Sequence, residues 1–177
     1  MPCSLNEIER LLRDETSGLA EKITRNLGDF TVALIAIYNG PNERLALAGT
    51  GTLLAIGGSH FILTARHVWD EVLSTADHVG VTLKPEITHR YSIARPQLTF
   101  FGLPKPAAWN EWGPDLALLR IPAESVGAIG AYRSFWNVDH TVQINGTAIE
   151  LHVLMGTPVL WARSKTPMRS YRLRGCF

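Results

Sequence analysis

Between Phe30 and Ile121 the chain repeats one device: runs of four to nine residues rich in apolar, β-branched and aromatic side chains, joined by connections mostly too short for a crossover helix. Parallel neighbours need a dozen or more connecting residues, so such spacing argues for antiparallel strands in a barrel or a sandwich. The runs are Phe30–Tyr38, Arg44–Ala48, Thr52–Ile56, Phe61–Thr64, Val79–Leu83, Gln97–Phe101 and Leu116–Ile121. Asn39-Gly40-Pro41-Asn42 turns the chain after the first, and the glycine-bearing stretch Gly57-Gly58-Ser59-His60 joins the third to the fourth. A short helical stretch is expected over His67–Leu73. With 46% hydrophobic residues in 177, there is enough apolar side chain for a real core.

The flanks read differently. Residues 1–28 form an N-terminal amphipathic helix: Ser4 and Glu7 make a capping box, and Ile8, Leu11, Leu12, Leu19 and Ile23 keep helical spacing, with a weak point at Gly18. Its stripe is expected to pack on the domain that follows. Residues 29–122 carry the strand-rich body. In 123–160, Val142-Gln-Ile144, the turn pair Asn145-Gly146 and the alternation from Ile149 to Met155 read as a hairpin opening a second sheet. Residues 161–177 lose both periodicities and form a basic tail.

Charge and cysteine content narrow the partners. The net +1 conceals five basic residues in the last fifteen, which hold no acid; the remainder carries twelve basic against sixteen acidic residues. A body of that sign is a poor ligand for phosphate backbones, so no nucleic acid is expected. No apolar run approaches a membrane span, and no membrane partner is expected. Cys3 and Cys176 lie near opposite ends and fit neither a metal pair nor a disulfide framework. Free thiols and a cytoplasmic location follow as expectations. His60, His67, His78, His89, His140 and His152 show no metal-ligand spacing, and Gly49-Thr-Gly-Thr is followed by no Gly-Lys-Ser/Thr. Neither a metal nor a cofactor is expected.

Two segments carry chemistry. His67 follows an apolar hairpin strand, where a rigid sheet can hold an imidazole at the rim of a cleft; an imidazole can take a hydroxyl proton and return it. Asp115 stands at the mouth of the apolar strand Leu116–Ile121, where a carboxylate can accept an imidazole N–H and fix its tautomer. Each has an ordinary structural explanation when taken singly.

Taken together, in the order histidine then aspartate and 48 positions apart, they resemble the trypsin-like serine protease family. Thr64-Ala65-Arg66-His67-Val68 is similar to its Thr-Ala-Ala-His motif and Asp115-Leu-Ala-Leu-Leu to its Asp-Ile-Ala-Leu-Leu motif. The resemblance spans about Phe30 to Ile121. It implies a mostly β fold of two antiparallel barrels, with His67 as general base and Asp115 as its orienting partner on the first, and the nucleophilic serine, oxyanion hole and specificity pocket on the second. It also implies a polypeptide substrate. Arg66 replaces the family's alanine, and Val68 stands where secreted members often carry a disulfide cysteine; the latter fits a disulfide-free, bacterial-type relative.

A Gly-x-Ser-Gly segment, which the resemblance requires after the aspartate, does not occur. Ser125, Ser134, Ser164 and Ser170 follow Asp115, none flanked by the glycines that would expose a nucleophile and donate N–H groups to an oxyanion. No nucleophile is identified. The expectation is a truncated endopeptidase domain, inactive alone, in which Gly156-Thr-Pro158 belongs to an early second-barrel strand and the patternless sequence from about Trp161 suits a frameshift. Two alternatives stand beside it: a non-catalytic, protease-derived protein-binding module, and a chain completed by a partner that supplies the second barrel.

Overall fold

A computed structural model of the protein describes residues 18–84, 86–103 and 115–140, together with residues 10, 13, 14 and 16. The capping box at Ser4, the hairpin around Asn145-Gly146 and the tail lie outside the described residues. Helix α1 (Leu19–Gly28) starts after Gly18, whose φ of 64° lies in the left-handed region. Arg10 and Arg13 are helical and Asp14 is not, so the single helix expected over 1–28 is interrupted before Leu19.

The strands are β1 (Thr31–Tyr38), β2 (Arg44–Ile56), β3 (Ser59–Thr64), β4 (His78–Thr82), β5 (Arg90–Ala94), β6 (Thr99–Gly102), β7 (Ala117–Arg120) and β8 (Trp136–Asn137). Helices α2 (Arg66–Glu71) and α3 (Ala123–Gly130) follow β3 and β7. Neighbours run β5-β4-β1-β2-β3-β7-β6, all antiparallel, while β8 adds to β2 in parallel. Six spacings of about 4.8 Å would put the outer strands about 29 Å apart in a flat sheet. Yet Ala94 of β5 and Thr99 of β6 are joined by a 3₁₀ turn, Arg95–Gln97, and Leu98. Five residue steps reach at most about 17 Å, so the sheet curls into a half-barrel.

Three features shape the centre of the sheet. β1 is buried on both faces from Val32 to Ile37, as suits a β-branched strand at the centre. β2 runs unbroken through Gly49-Thr50-Gly51, where the sequence suggested two strands, and its register against β1 shifts at Ala48, which bends it. Gly57 and Gly58, with φ of 55° and 75°, are the whole loop between Ile56 and Ser59, a two-residue turn whose twist matches its strands. The interior is filled by Leu34, Leu53, Ile62, Val79, Ile93 and Leu119.

Gly51 shows why β2 needs glycine there: an added Cβ would lie 2.4 Å from Cγ2 of Ile62, which is fully buried. Gly51→Ala is therefore expected to lower stability by about 1–3 kcal/mol through overpacking, read by denaturant unfolding. An unchanged midpoint would show that Ile62 can move aside.

Residues 123–140 pack on the same core as the strands; the rest of the segment 123–160 lies outside the described residues. Ile129 of α3 is fully buried in the core, and Trp136 packs edge-on against Phe30 at 5.3 Å between centroids. Arg133 donates to the carbonyls of Gly28 (2.8 Å) and Thr82 (3.3 Å), and burial lowers its pKa against the raising effect of Asp29. Helix α3 has only eight residues, so these packing contacts rather than propensity hold it.

Candidate active site

The register of β3 and β7 brings the two sequence-nominated residues together. Thr64, the last residue of β3, lies opposite Ala117, the first of β7, in an antiparallel pair. The chain leaving β3 and the chain entering β7 therefore share one end of the sheet. His67 comes three residues after Thr64 and Asp115 two before Ala117, which closes a separation of 48 positions.

Helix α2 carries His67 on a framework set by its neighbours. Val68 is buried and faces Gly49 of β2, where a Cβ would stand 2.8 Å from Val68 Cγ2. Glycine at 49 lets α2 sit close on β2. The Trp69 ring stacks on Phe100 of β6 at 5.0 Å and 13°. Thr64 donates its hydroxyl to the carbonyl of Thr50 (2.8 Å), which ties the end of β3 to β2.

Asp115 grips His67 at two points. One carboxylate oxygen pairs with ring Nδ1, and the other accepts the His67 backbone N–H at 3.1 Å. The Arg66 N–H adds a bond to the Asp115 carbonyl at 3.2 Å. An ionised carboxylate only accepts, so the neutral ring must carry its proton on Nδ1 and present the Nε2 lone pair. No described residue hydrogen-bonds Nε2. The His67 side chain is 57% exposed and that of Asp115 38%, so the dyad opens to solvent and to any group brought against it.

Arg66 turns away from the ring. Its Nε pairs with Asp70 at 3.0 Å and its Nη1 donates to the Leu103 carbonyl at 3.3 Å. The sequence marked Arg66 only as a replacement for the family's alanine; the i,i+4 spacing of Arg66 and Asp70 was the available signal for where it points.

Of the four serines after Asp115, two are described, and neither hydrogen-bonds His67: Ser125 is buried in α3 and Ser134 follows it. Ser164 and Ser170 lie outside the described residues. A cavity of about 420 Å³ opens elsewhere, lined by His60, Gln97, Arg120 and the start of α3, and neither dyad residue borders it. Among the described residues no three His, Cys, Asp or Glu side chains are grouped to hold a metal, and no helix is long and apolar enough to cross a membrane. Compared with known proteins, the chain matches no family model, no curated protein and no solved structure.

Proposed function

We propose that this chain carries the base half of a trypsin-like endopeptidase site, with His67 as general base and Asp115 as its orienting partner. The observation that carries the reading is the two-point hold of Asp115 on ring Nδ1 and on the backbone N–H of the same histidine. That hold fixes the tautomer and stabilises the imidazolium that forms when Nε2 takes a proton. The resemblance of the His67 and Asp115 segments to the family motifs supports the same assignment. No Gly-x-Ser-Gly occurs in the 177 residues, and no residue of this chain is assigned as nucleophile, oxyanion donor or substrate pocket. The substrate is a polypeptide, and on the two widely separated cysteines we assign the chain to a reducing, cytoplasmic setting.

A second reading, a protein-binding module, is favoured by one observation. Phe101, Leu103 and Leu116 are 48%, 45% and 41% exposed along β6 and the entry to β7, next to Asp115. Apolar side chains grouped at the edge of a sheet suit a partner's surface.

Acylation separates the two. Diethyl pyrocarbonate attacks a free imidazole lone pair, and the Asp115 carboxylate keeps the one on Nε2 available by holding the ring proton on Nδ1. Carbethoxylation of His67 is expected to slow about tenfold when Asp115 is replaced by Asn, while that of exposed His140 is unchanged, with each site followed by mass spectrometry. A fluorophosphonate probe should leave the chain alone unlabelled. An unchanged rate at His67 in Asp115→Asn would remove the base assignment and leave the binding module.

A further inference from the structure

The residue that departs most from the resembled motif, Arg66, makes the contacts that fix the dyad's geometry. Its guanidinium holds the carbonyl of Leu103 at the end of β6. The N–H of Leu103 donates to the carbonyl of Leu116 at 3.2 Å, Leu116 is bonded to Asp115, and the Asp115 carbonyl accepts the N–H of Arg66 itself. The chain of contacts returns to its starting residue. We propose that Arg66 is a positioning residue, which locks the β6–β7 end, and with it the Asp115 carboxylate, to the helix that carries His67. This rests on the reading of His67 and Asp115 as base and orienting partner.

The physics of α2 makes such a lock necessary. The helix has six residues and no side-chain cap at Ala65, too short to hold its own orientation. Hydrogen bonds weaken steeply as they misalign, so a small rotation of α2 would break the contact between Nδ1 and the carboxylate. Val68 on Gly49 fixes the side of α2 that faces β2, and the Trp69–Phe100 stack fixes one point toward β6. Arg66 supplies the remaining point, on the residue adjoining His67. The guanidinium lies beside Gly102, its Cζ 3.7 Å from where a Cβ would stand, an ordinary contact, while the glycine makes room for the Phe100 ring at 2.8 Å. The exposed Arg66–Asp70 ion pair contributes little stability by itself, so Arg66 serves geometry more than folding. A planar guanidinium can serve Asp70 and the Leu103 carbonyl at once, whereas a lysine ammonium offers one point charge.

The test is NMR of the full chain with ¹⁵N-labelled histidine rings. It follows the His67 tautomer and the exchange of its Nδ1 proton, with the core amides of Leu53 and Leu119 as the control for folding. Arg66→Ala and Arg66→Met are expected to speed Nδ1–H exchange about tenfold, the equivalent of one lost hydrogen bond, while the core amides stay protected. Arg66→Lys should fall between these and the wild type. Wild-type protection in both Arg66→Ala and Arg66→Met would overturn the proposal and leave the dyad reading intact. A wild-type ring without Nδ1–H would overturn the dyad reading and this proposal with it. Should Arg66→Ala fail to fold, Arg66→Met, which keeps the stem over Gly102, decides; if both unfold, Arg66 is a folding residue and the proposal falls.

Discussion

Asp115→Asn is expected to move the ring proton of His67 from Nδ1 to Nε2 and so remove the lone pair that makes the ring a base. The carboxylate at 115 accepts from two donors of His67, the ring Nδ1–H and the backbone N–H. A carboxylate satisfies both, because each oxygen only accepts. Asparagine has the same shape but one acceptor and one donor. The backbone N–H cannot change its character, so the amide oxygen turns to it and the NH₂ faces Nδ1. The imidazole can relieve that clash by becoming an acceptor at Nδ1, which sends its proton to Nε2. In a complete triad this change costs roughly 10⁴-fold in rate. Here it is read as a switch in ring ¹⁵N shifts and a loss of about tenfold or more in carbethoxylation of His67, with global stability little changed because both side chains are partly exposed. Retention of the Nδ1–H tautomer in Asp115→Asn would mean that the carboxylate does not set the ring's state.

The same pair shows how much of the site was legible in the sequence. His67 and Asp115 could be nominated from their strand contexts, because a strand end is a rigid place from which to present a side chain. Their meeting depended on the β3–β7 register, which no local pattern encodes. Long-range pairing of this kind also explains β8, two residues with no signal of their own that exist as a strand only because β2 has room beside Leu54. β5 was missed for a related reason: in Arg90-Tyr-Ser-Ile-Ala94 only Ile93 is buried, so period-two alternation hardly shows. Gly49 and Gly51 misled in the opposite sense. They suggested a break between two strands, yet they lie within a single long one, where the absence of a Cβ admits Val68 and Ile62. By contrast β1 and the Gly57-Gly58 turn were legible, since a β-branched run and a pair of positive-φ residues act through local sterics alone.

Leu119→Ala and Leu118→Ala, adjacent substitutions of one residue type, are expected to differ severalfold in cost, and the difference tests the register on which the site depends. On β7, Leu119 lies opposite Ile62 of β3 and Phe100 of β6, and it is fully buried in the core. Leu118 lies opposite Leu63 and Phe101, on the other face of the sheet, and is half-buried. Truncating Leu119 removes apolar contacts and leaves a cavity that the three strands close only in part, a cost of about 2–5 kcal/mol. The midpoint of thermal unfolding should fall by about 8 °C or more. Truncating Leu118 opens no closed cavity and should cost about 1 kcal/mol or less. Because side chains alternate between faces, a one-residue slip of β7 would exchange these costs. The slip would also carry Asp115 about 3.3 Å along the strand axis, beyond hydrogen-bond reach of the ring. A larger loss for Leu118→Ala than for Leu119→Ala in denaturant unfolding would therefore dismantle the β3–β7 pairing and the His67–Asp115 dyad together.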